Sequence, residues 1–165
     1  MDKITQAHLK ELLYYEPETG DFIRLIRRGA AIAGDVAGKA HYSGYWYIRI
    51  SKKHYAAHRL AWFYTHGFWP KEDIDHINND RSDNRIVNLR ECTRSQNIQN
   101  SKLYKKSSSG FKGVSKSKRN KKPWFSQIQV EGKLKYLGSY ISPDLAHKAY
   151  CDAADKYFGE FANYG

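Results

Sequence analysis

The sequence predicts an α+β protein with two structural parts. Its 165 residues are enough for one domain of ordinary size or for two small ones. Residues 74–100 read as strand, loop, strand and helix, and residues 111–159 read as a three-stranded antiparallel sheet packed on one helix. A stretch of linker composition separates them, so we expect domains at 1–100 and 110–165 joined by a basic flexible linker at 101–109.

The N-terminal elements are predicted from apolar spacing and turn residues. Residues 5–15 have the pattern of a short amphipathic helix, with Thr5 as its N-cap. A later helix over 58–66 is expected to stop at Gly67, because glycine commonly ends helices and Pro70 follows soon after. Between the two helices, β-branched and aromatic residues predict strands at 22–26, 45–51 and 55–58.

The central segment combines short apolar runs with many polar turn residues. Residues 74–77 and 86–90 can form two strands joined by a loop of Asn, Asp and Ser. Thr93 and Gln96 have the spacing of a capping box, which predicts a helix that begins at Arg94.

The C-terminal part has the most regular pattern. Strands are predicted at 111–116, 124–130 and 134–140, with a tight hairpin turn at Glu131-Gly132. Ser142 and Pro143 are suited to the N-cap and first turn of a helix. That helix would present an apolar stripe and end before Gly159; the stripe is Ala146, Ala149, Tyr150, Ala153 and Tyr157.

The charge of the chain predicts a polyanionic partner. The formal net charge is +11, and nucleic acid is the commonest polyanion in cells. A basic surface that only maintains solubility is the alternative. Residues 92–130 favour nucleic acid because they contain no acidic residue and ten basic ones: Arg94, Lys102, Lys105, Lys106, Lys112, Lys116, Lys118, Arg119, Lys121 and Lys122.

Cysteine usage and hydropathy restrict the class of protein further. Cys92 and Cys151 are single and far apart, so we expect neither a CxxC-type zinc site nor a disulfide framework. No signal peptide and no apolar run of membrane-spanning length is evident in the sequence. These features predict an intracellular, cytoplasmic protein without membrane association.

Three polar residues have the chemistry needed to hydrolyse a phosphodiester bond. His76 can act as a general base near neutral pH. Asp75 and the side-chain carbonyl of Asn97 are hard oxygen ligands, suited to Mg²⁺ or Mn²⁺. Neighbouring side chains of a regular strand point to opposite faces, so Asp75 and His76 can share a site only where the strand bends. Otherwise an Asp-His pair in a polar loop is typical of a solvated turn.

The wider pattern resembles the HNH endonucleases of bacteriophages and mobile introns. The motifs HRLAW, DHIN, DNRIVNLR and TRSQN carry the resemblance, which covers roughly residues 5–100. It implies a ββα-metal (His-Me finger) core and a homing endonuclease. In that core His76 is the general base, Asp75 and Asn97 hold a single divalent metal, and Asn88 braces the loop and orients the histidine. The final residue of the HNH motif is Asn97 in this chain instead of a histidine, a variant that still offers an oxygen ligand.

The HRL element of the same family falls on the helix predicted at 58–66. There the resemblance implies a mainly structural His58 and a phosphate contact for Arg59.

Residues 108–164 resemble a second family, the plant ethylene-response-factor (Apetala-two) DNA-binding domain. The motifs GFKGV, YLGSY and AHKAYCDAADKYFG carry this resemblance, which implies a sheet laid in the DNA major groove. Gln127 and Gln129 alternate onto one face and can each read adenine. The outward strand positions by this resemblance are Lys112, Ser115, Ser117, Gln127, Gln129, Leu134 and Tyr136. Phosphate contacts are expected from the first strand and the turn after it: Lys112, Lys116, Lys118, Arg119, Lys121 and Lys122.

Two functions compete at this point. The first is a metal-dependent DNA endonuclease that acts on double-stranded DNA as a monomer, with the C-terminal domain selecting the site. The second is a catalytically inactive, sequence-specific DNA-binding regulator. A decayed nuclease would be expected to lose at least one residue of its site. The sequence therefore favours the nuclease, since Asp75, His76, Asn88 and Asn97 are all present.

Overall fold

The computed structural model describes residues 4–101, 109–118 and 121–165. The chain divides into two compact units, Met1–Cys92 and Thr93–Gly165. Most of the predicted linker (102–108) and Arg119, a predicted phosphate contact, lie outside the described residues.

Helices and small antiparallel sheets are both present, which confirms the predicted mixture of α and β structure. The helices are α1 (Gln6–Leu12), α2 (Ala57–His66), α3 (Arg94–Gln99) and α4 (Pro143–Phe158). The strands are β1 (Leu13–Glu16), β2 (Asp21–Arg24), β3 (Lys39–Ala40), β4 (Trp46–Ile50), β5 (Lys53–Ala56), β6 (Asp73–His76), β7 (Leu89–Cys92), β8 (Val114–Lys116), β9 (Trp124–Val130) and β10 (Lys133–Tyr140). None of the helices within the described ranges has the length and apolar character needed to cross a bilayer.

The first unit is organised around one hydrophobic core. Its sheets pair β1 with β2, β3 with β4 and β5, and β6 with β7. Leu9 of α1, Phe22 of β2, Ile48 of β4 and Leu60 of α2 are almost completely buried in this core. The small sheets are therefore held together by shared apolar contacts with the helices.

The first helix is shorter than predicted. It ends at Leu12, and the residues expected to continue it form β1, paired with β2. Leu13 and Tyr15 are buried while Tyr14 between them is 45% exposed, a period of two that fits a strand. The prediction of helix over 13–15 was wrong because pairing with β2 outweighs the local apolar spacing.

The hairpin before α2 turns at Ser51 and Lys52, so the strand predicted at 45–51 ends at Ile50 and the next one begins at Lys53. Ser51 and Lys52 both have left-handed backbones, with φ of 47° and 67°. Two successive left-handed residues match the twist of a two-residue hairpin turn, so β5 starts at Lys53. The predicted stop of α2 is confirmed, since Gly67 is its left-handed C-cap with φ 81°.

The second predicted strand of the central segment was misplaced. Residues 86–88 form a single 3₁₀ turn, and the strand β7 that pairs with β6 begins only at Leu89. The Asn88 side chain is bonded into the preceding loop, which keeps this stretch out of the sheet. The capping box is confirmed: Thr93 Oγ1 accepts from Gln96 N, and Gln96 Oε1 accepts from Thr93 N.

The second unit contains an antiparallel sheet in the order β10-β9-β8 together with α3 and α4. The predicted hairpin turn is confirmed, because Glu131 and Gly132 both have left-handed backbones. Strand β8 is shorter than the predicted 111–116, since Gly113 has φ 72°. A Cβ atom at Gly113 would lie 2.0 Å from the Tyr150 ring, so only glycine allows α4 to pack this closely.

Candidate functional site

A buried ion pair joins the two strands that flank the polar loop. Asp75 of β6 lies directly opposite Arg90 of β7. Asp75 Oδ2 accepts hydrogen bonds from Arg90 Nε at 3.0 Å and Nη2 at 2.8 Å. The two side chains are only 6% and 13% exposed, so the guanidinium compensates the carboxylate charge where water contributes little.

His76, the last residue of β6, lies in a cluster of aromatic rings. Its side chain is buried, and its ring centroid is 5.1 Å from that of His58 and 5.9 Å from that of Tyr45. Asp75 and His76 are neighbours in one strand, yet these contacts are with different partners: Arg90 for the carboxylate and aromatic rings for the imidazole. β6 ends at His76, where the chain enters the polar loop.

Burial keeps both histidines of this cluster neutral. It lowers the pKa of His58 to about 3, and the neighbouring His76 and Arg59 act in the same direction. Burial also lowers the pKa of His76, while the Asn84 side chain and the nearby aspartates oppose that shift. A neutral imidazole at physiological pH can accept a proton, which is the requirement for a general base.

The loop that follows His76 is held by side chains of its own residues. Asn88 Oδ1 accepts from Asn78 N at 3.0 Å, and Asn88 Nδ2 donates to Asp83 O at 2.9 Å. The main chain of Asn88 also accepts from Ile77 N. Asn88 is 7% exposed, so it connects both ends of the loop from a buried position.

Two contacts from distant parts of the first unit fix the same loop. Tyr15 of β1 donates its hydroxyl to Asn84 O at 2.8 Å. Gly20, in the turn between β1 and β2, lies so close that a Cβ atom there would be 2.5 Å from Arg85 N. Gly20 also has φ 81°, so its position requires glycine for two independent reasons.

Arg81 covers one side of the ring cluster. Its guanidinium lies 4.9 Å from the centroid of the Tyr45 ring, and its Nη1 donates to Ser43 O. Sequence reasoning did not identify Arg81, Tyr45 or Arg90 as parts of the site. Their only signal in the sequence is side-chain type, and their proximity to His76 and Asp75 depends on strand register and on contacts between distant segments.

Arg59 has partners inside the first unit. Its guanidinium donates to the main-chain carbonyls of Pro70 and Glu72, both at 3.1 Å. It thereby connects α2 to the segment that leads into β6. The phosphate contact expected of Arg59 stays a prediction.

Asn97 lies on α3 in the second unit, whereas Asp75 and His76 belong to the first unit. Its side chain is half-buried. Asn97 N closes the first turn of α3 with a bond to Thr93 O. Among the residues that the structure describes, no cluster of three or more His, Cys, Asp and Glu side chains has the arrangement of a metal site.

The outer face of the C-terminal sheet presents four of the predicted outward strand positions together. Tyr136 lies opposite Gln127, and Leu134 lies opposite Gln129. Cross-strand partners share a face, so these side chains form one surface. Leu134 and Tyr136 are 64% and 65% exposed, which gives the surface apolar and aromatic groups between the two amides.

The predicted phosphate contacts differ in their surroundings. Lys118, Lys121 and Lys122 are exposed, and Lys116 Nζ lies 5.1 Å from the centroid of the Trp124 ring. Lys112 instead is half-buried, and its Nζ donates to Gln99 O at 2.8 Å and to Ser101 O at 2.6 Å.

A comparison with protein-family models finds one match. A family model described as HNH endonuclease matches residues 55–99, a segment that contains Asp75, His76, Asn88 and Asn97. No curated protein and no solved structure matches the chain. The match supports a nuclease that acts on DNA, and it does not extend to residues 108–164.

Proposed function

We propose that this chain is a metal-dependent DNA endonuclease of the HNH type, in which His76 is the general base and the C-terminal sheet selects the site. The observation that carries the proposal is the buried, neutral His76, which ends β6 inside the segment that matches the HNH endonuclease model. The resemblance of the wider sequence extends the proposal to a homing enzyme of a phage or mobile element, acting as a monomer on double-stranded DNA.

In this proposal His76 takes a proton from the water that attacks the phosphodiester. Its burial among His58, Tyr45 and Asn84 excludes bulk solvent and holds the ring in one orientation. Asn88 is a positioning residue, because it binds both ends of the loop that begins directly after the histidine. His58, with its pKa of about 3, contributes packing and no charge.

The donor set fits a hard divalent cation. Asp75 offers a carboxylate that Arg90 fixes in place, and Asn97 offers an amide oxygen; both are ligand types that Mg²⁺ and Mn²⁺ prefer. We propose that these two residues hold one such ion, which when bound stabilises the negative charge that develops on the phosphate. Zinc, which prefers nitrogen and sulfur ligands, is not the ion expected here.

The experiment that tests this function is plasmid cleavage. Supercoiled plasmid incubated with the protein and magnesium should be converted mainly to the nicked form, because a monomer has one catalytic site. Excess chelator should abolish the reaction, and manganese should restore it. Nicked and linear products are quantified on agarose gels. Binding of DNA without any cleavage in either metal would instead support the inactive DNA-binding regulator.

We further propose that the C-terminal sheet reads bases while the basic turn beside it holds phosphates. Replacing Lys118, Arg119, Lys121 and Lys122 with alanine should weaken binding to every sequence alike. Each lost phosphate contact removes about 0.9 from the slope of log affinity against log salt, so losing four contacts should flatten the slope by up to about 3.6 units. Gln127→Ala or Gln129→Ala should instead cost about 1–3 kcal/mol on the preferred duplex alone.

The DNA affinities of the basic and the glutamine variants are compared by titration at several salt concentrations. One duplex is selected from a random pool and the other is a scrambled duplex. Amide contacts distinguish bases, whereas charge contacts do not. If the basic replacements altered sequence preference while the glutamine replacements left it unchanged, the proposed orientation of the sheet would be wrong.

A further inference from the structure

Helix α3 is bonded into the second unit at its C-terminal end. The helix has six residues, too few to be stable in isolation. The last carbonyl groups of a helix lack partners within the helix and need donors from elsewhere. Lys112 supplies such a donor: its Nζ bonds to Gln99 O at 2.8 Å and to Ser101 O at 2.6 Å.

The position of Lys112 suits it to this role. A cation at the C-terminal end of a helix interacts favourably with the partial negative charge there. Burial lowers the pKa of Lys112 to about 8, so most molecules keep the ammonium charge at neutral pH. Lys112 immediately precedes Gly113, which packs closely against Tyr150 of α4.

A second bond holds the same end of α3. Asn163 Nδ2 donates to Asn100 Oδ1 at 3.4 Å, and Asn100 is only 3% exposed. Asn97, the proposed metal ligand, lies one turn before these contacts. The helix that carries it is thus attached to the turn that precedes β8 and to the chain that follows α4.

Helix α3 and the proposed reading face also line one groove in the second unit. The groove is open to solvent. The helix contributes Arg94 and Gln99, and the sheet contributes Gln127 and Gln129. The position of α3 is therefore tied to the surface proposed to read DNA.

We propose that Lys112 is a positioning residue that fixes α3, and with it the proposed metal ligand Asn97, to the turn before β8 in the unit proposed to read DNA. The inference rests on the proposed nuclease function and deepens it. It assigns Lys112 a role different from the phosphate contact expected from the sequence.

The test compares Lys112→Met with Lys148→Met in the full-length protein. Lys148 is an exposed lysine of α4, so this control removes the same charge from the same unit. Lys112→Met should lose hydrogen-exchange protection at the amides of Asn100 and Ser101 while strand β9 stays protected. By analogy with residues that orient metal ligands, Mn²⁺ affinity of the DNA complex and kcat should each fall about 10–100-fold.

DNA affinity in chelator, and its salt dependence, should match wild type in Lys112→Met. Lys112→Arg should recover part of the lost Mn²⁺ affinity, because a guanidinium can also donate to two carbonyls. Mn²⁺ binding is followed by electron paramagnetic resonance, so this readout does not depend on turnover.

Three results would overturn the inference. Lys112→Met could behave like Lys148→Met in exchange and Mn²⁺ affinity, which would show that Lys112 positions nothing. It could weaken DNA binding with a shallower salt slope, which would make it a phosphate contact. The variant could also lose hydrogen-exchange protection in β9, which would show that Lys112 stabilises the whole second unit. A wild-type protein that binds but never cuts DNA would refute the proposed nuclease function. Hydrogen exchange at Asn100 and Ser101 in Lys112→Met would still test whether Lys112 holds α3.

Discussion

Replacing His76 with alanine is expected to slow DNA cleavage by about 10²–10⁴-fold, the usual effect of removing a general base. The ring ends β6 and is buried beside His58 and Tyr45. DNA affinity should change little, because the phosphate and base contacts proposed above lie in the C-terminal unit. Single-turnover cleavage and binding in chelator are measured on the same duplex.

The matched control is His54→Ala, which removes an exposed histidine from the same unit. It should cut at the wild-type rate. Wild-type cleavage by the His76→Ala protein would refute the assignment of the base. An equal loss of cleavage and of DNA affinity would show that His76 supports the fold and not the reaction.

Replacing Arg90 with methionine is expected to destabilise the first unit by about 3–5 kcal/mol, because it leaves the buried Asp75 carboxylate without the guanidinium. The effect is measured by urea unfolding followed through tryptophan fluorescence. Trp46, Trp62 and Trp69 lie in the first unit and Trp124 in the second. A Trp124→Phe background therefore makes the signal specific to the unit that carries the ion pair.

Two further variants separate charge burial from lost packing. Arg85→Met breaks an ion pair with Asp83 in which the arginine side chain is 44% exposed, so it should have a much smaller effect. The double variant Arg90→Met with Asp75→Leu should recover much of the stability, since removing both partners leaves no buried charge. A double variant as unstable as Arg90→Met alone would show that the ion pair is not the cause.

Local features of the fold were predictable because their determinants are close in sequence. The capping box of Thr93 and Gln96, the stop of α2 at Gly67 and the Glu131-Gly132 turn all follow from the residues that form them. The misplaced start of β7 had a non-local cause, because Asn88 contributes its side chain to the loop.

The candidate site could be predicted only in part for the same reason. Asp75, His76 and Asn88 follow from residue type and motif, but the partners that set their environment do not. Arg90 faces Asp75 only in the register that β6 and β7 adopt. The carbonyl groups that hold Arg59 and Lys112 give no signal in a sequence, since every residue has one.

The contacts of Tyr15 and Gly20 with the loop after His76 have a consequence for how the protein folds. Tyr15 and Asn84 are 69 residues apart in the chain, so their hydrogen bond forms only after a long segment has closed. Contacts of such large sequence separation are typical of slow steps in folding. During synthesis on a ribosome, the hairpin of β1 and β2 would emerge before the loop that Tyr15 and Gly20 contact. The loop around His76 would therefore reach its final shape late, after most of the first unit has been synthesised.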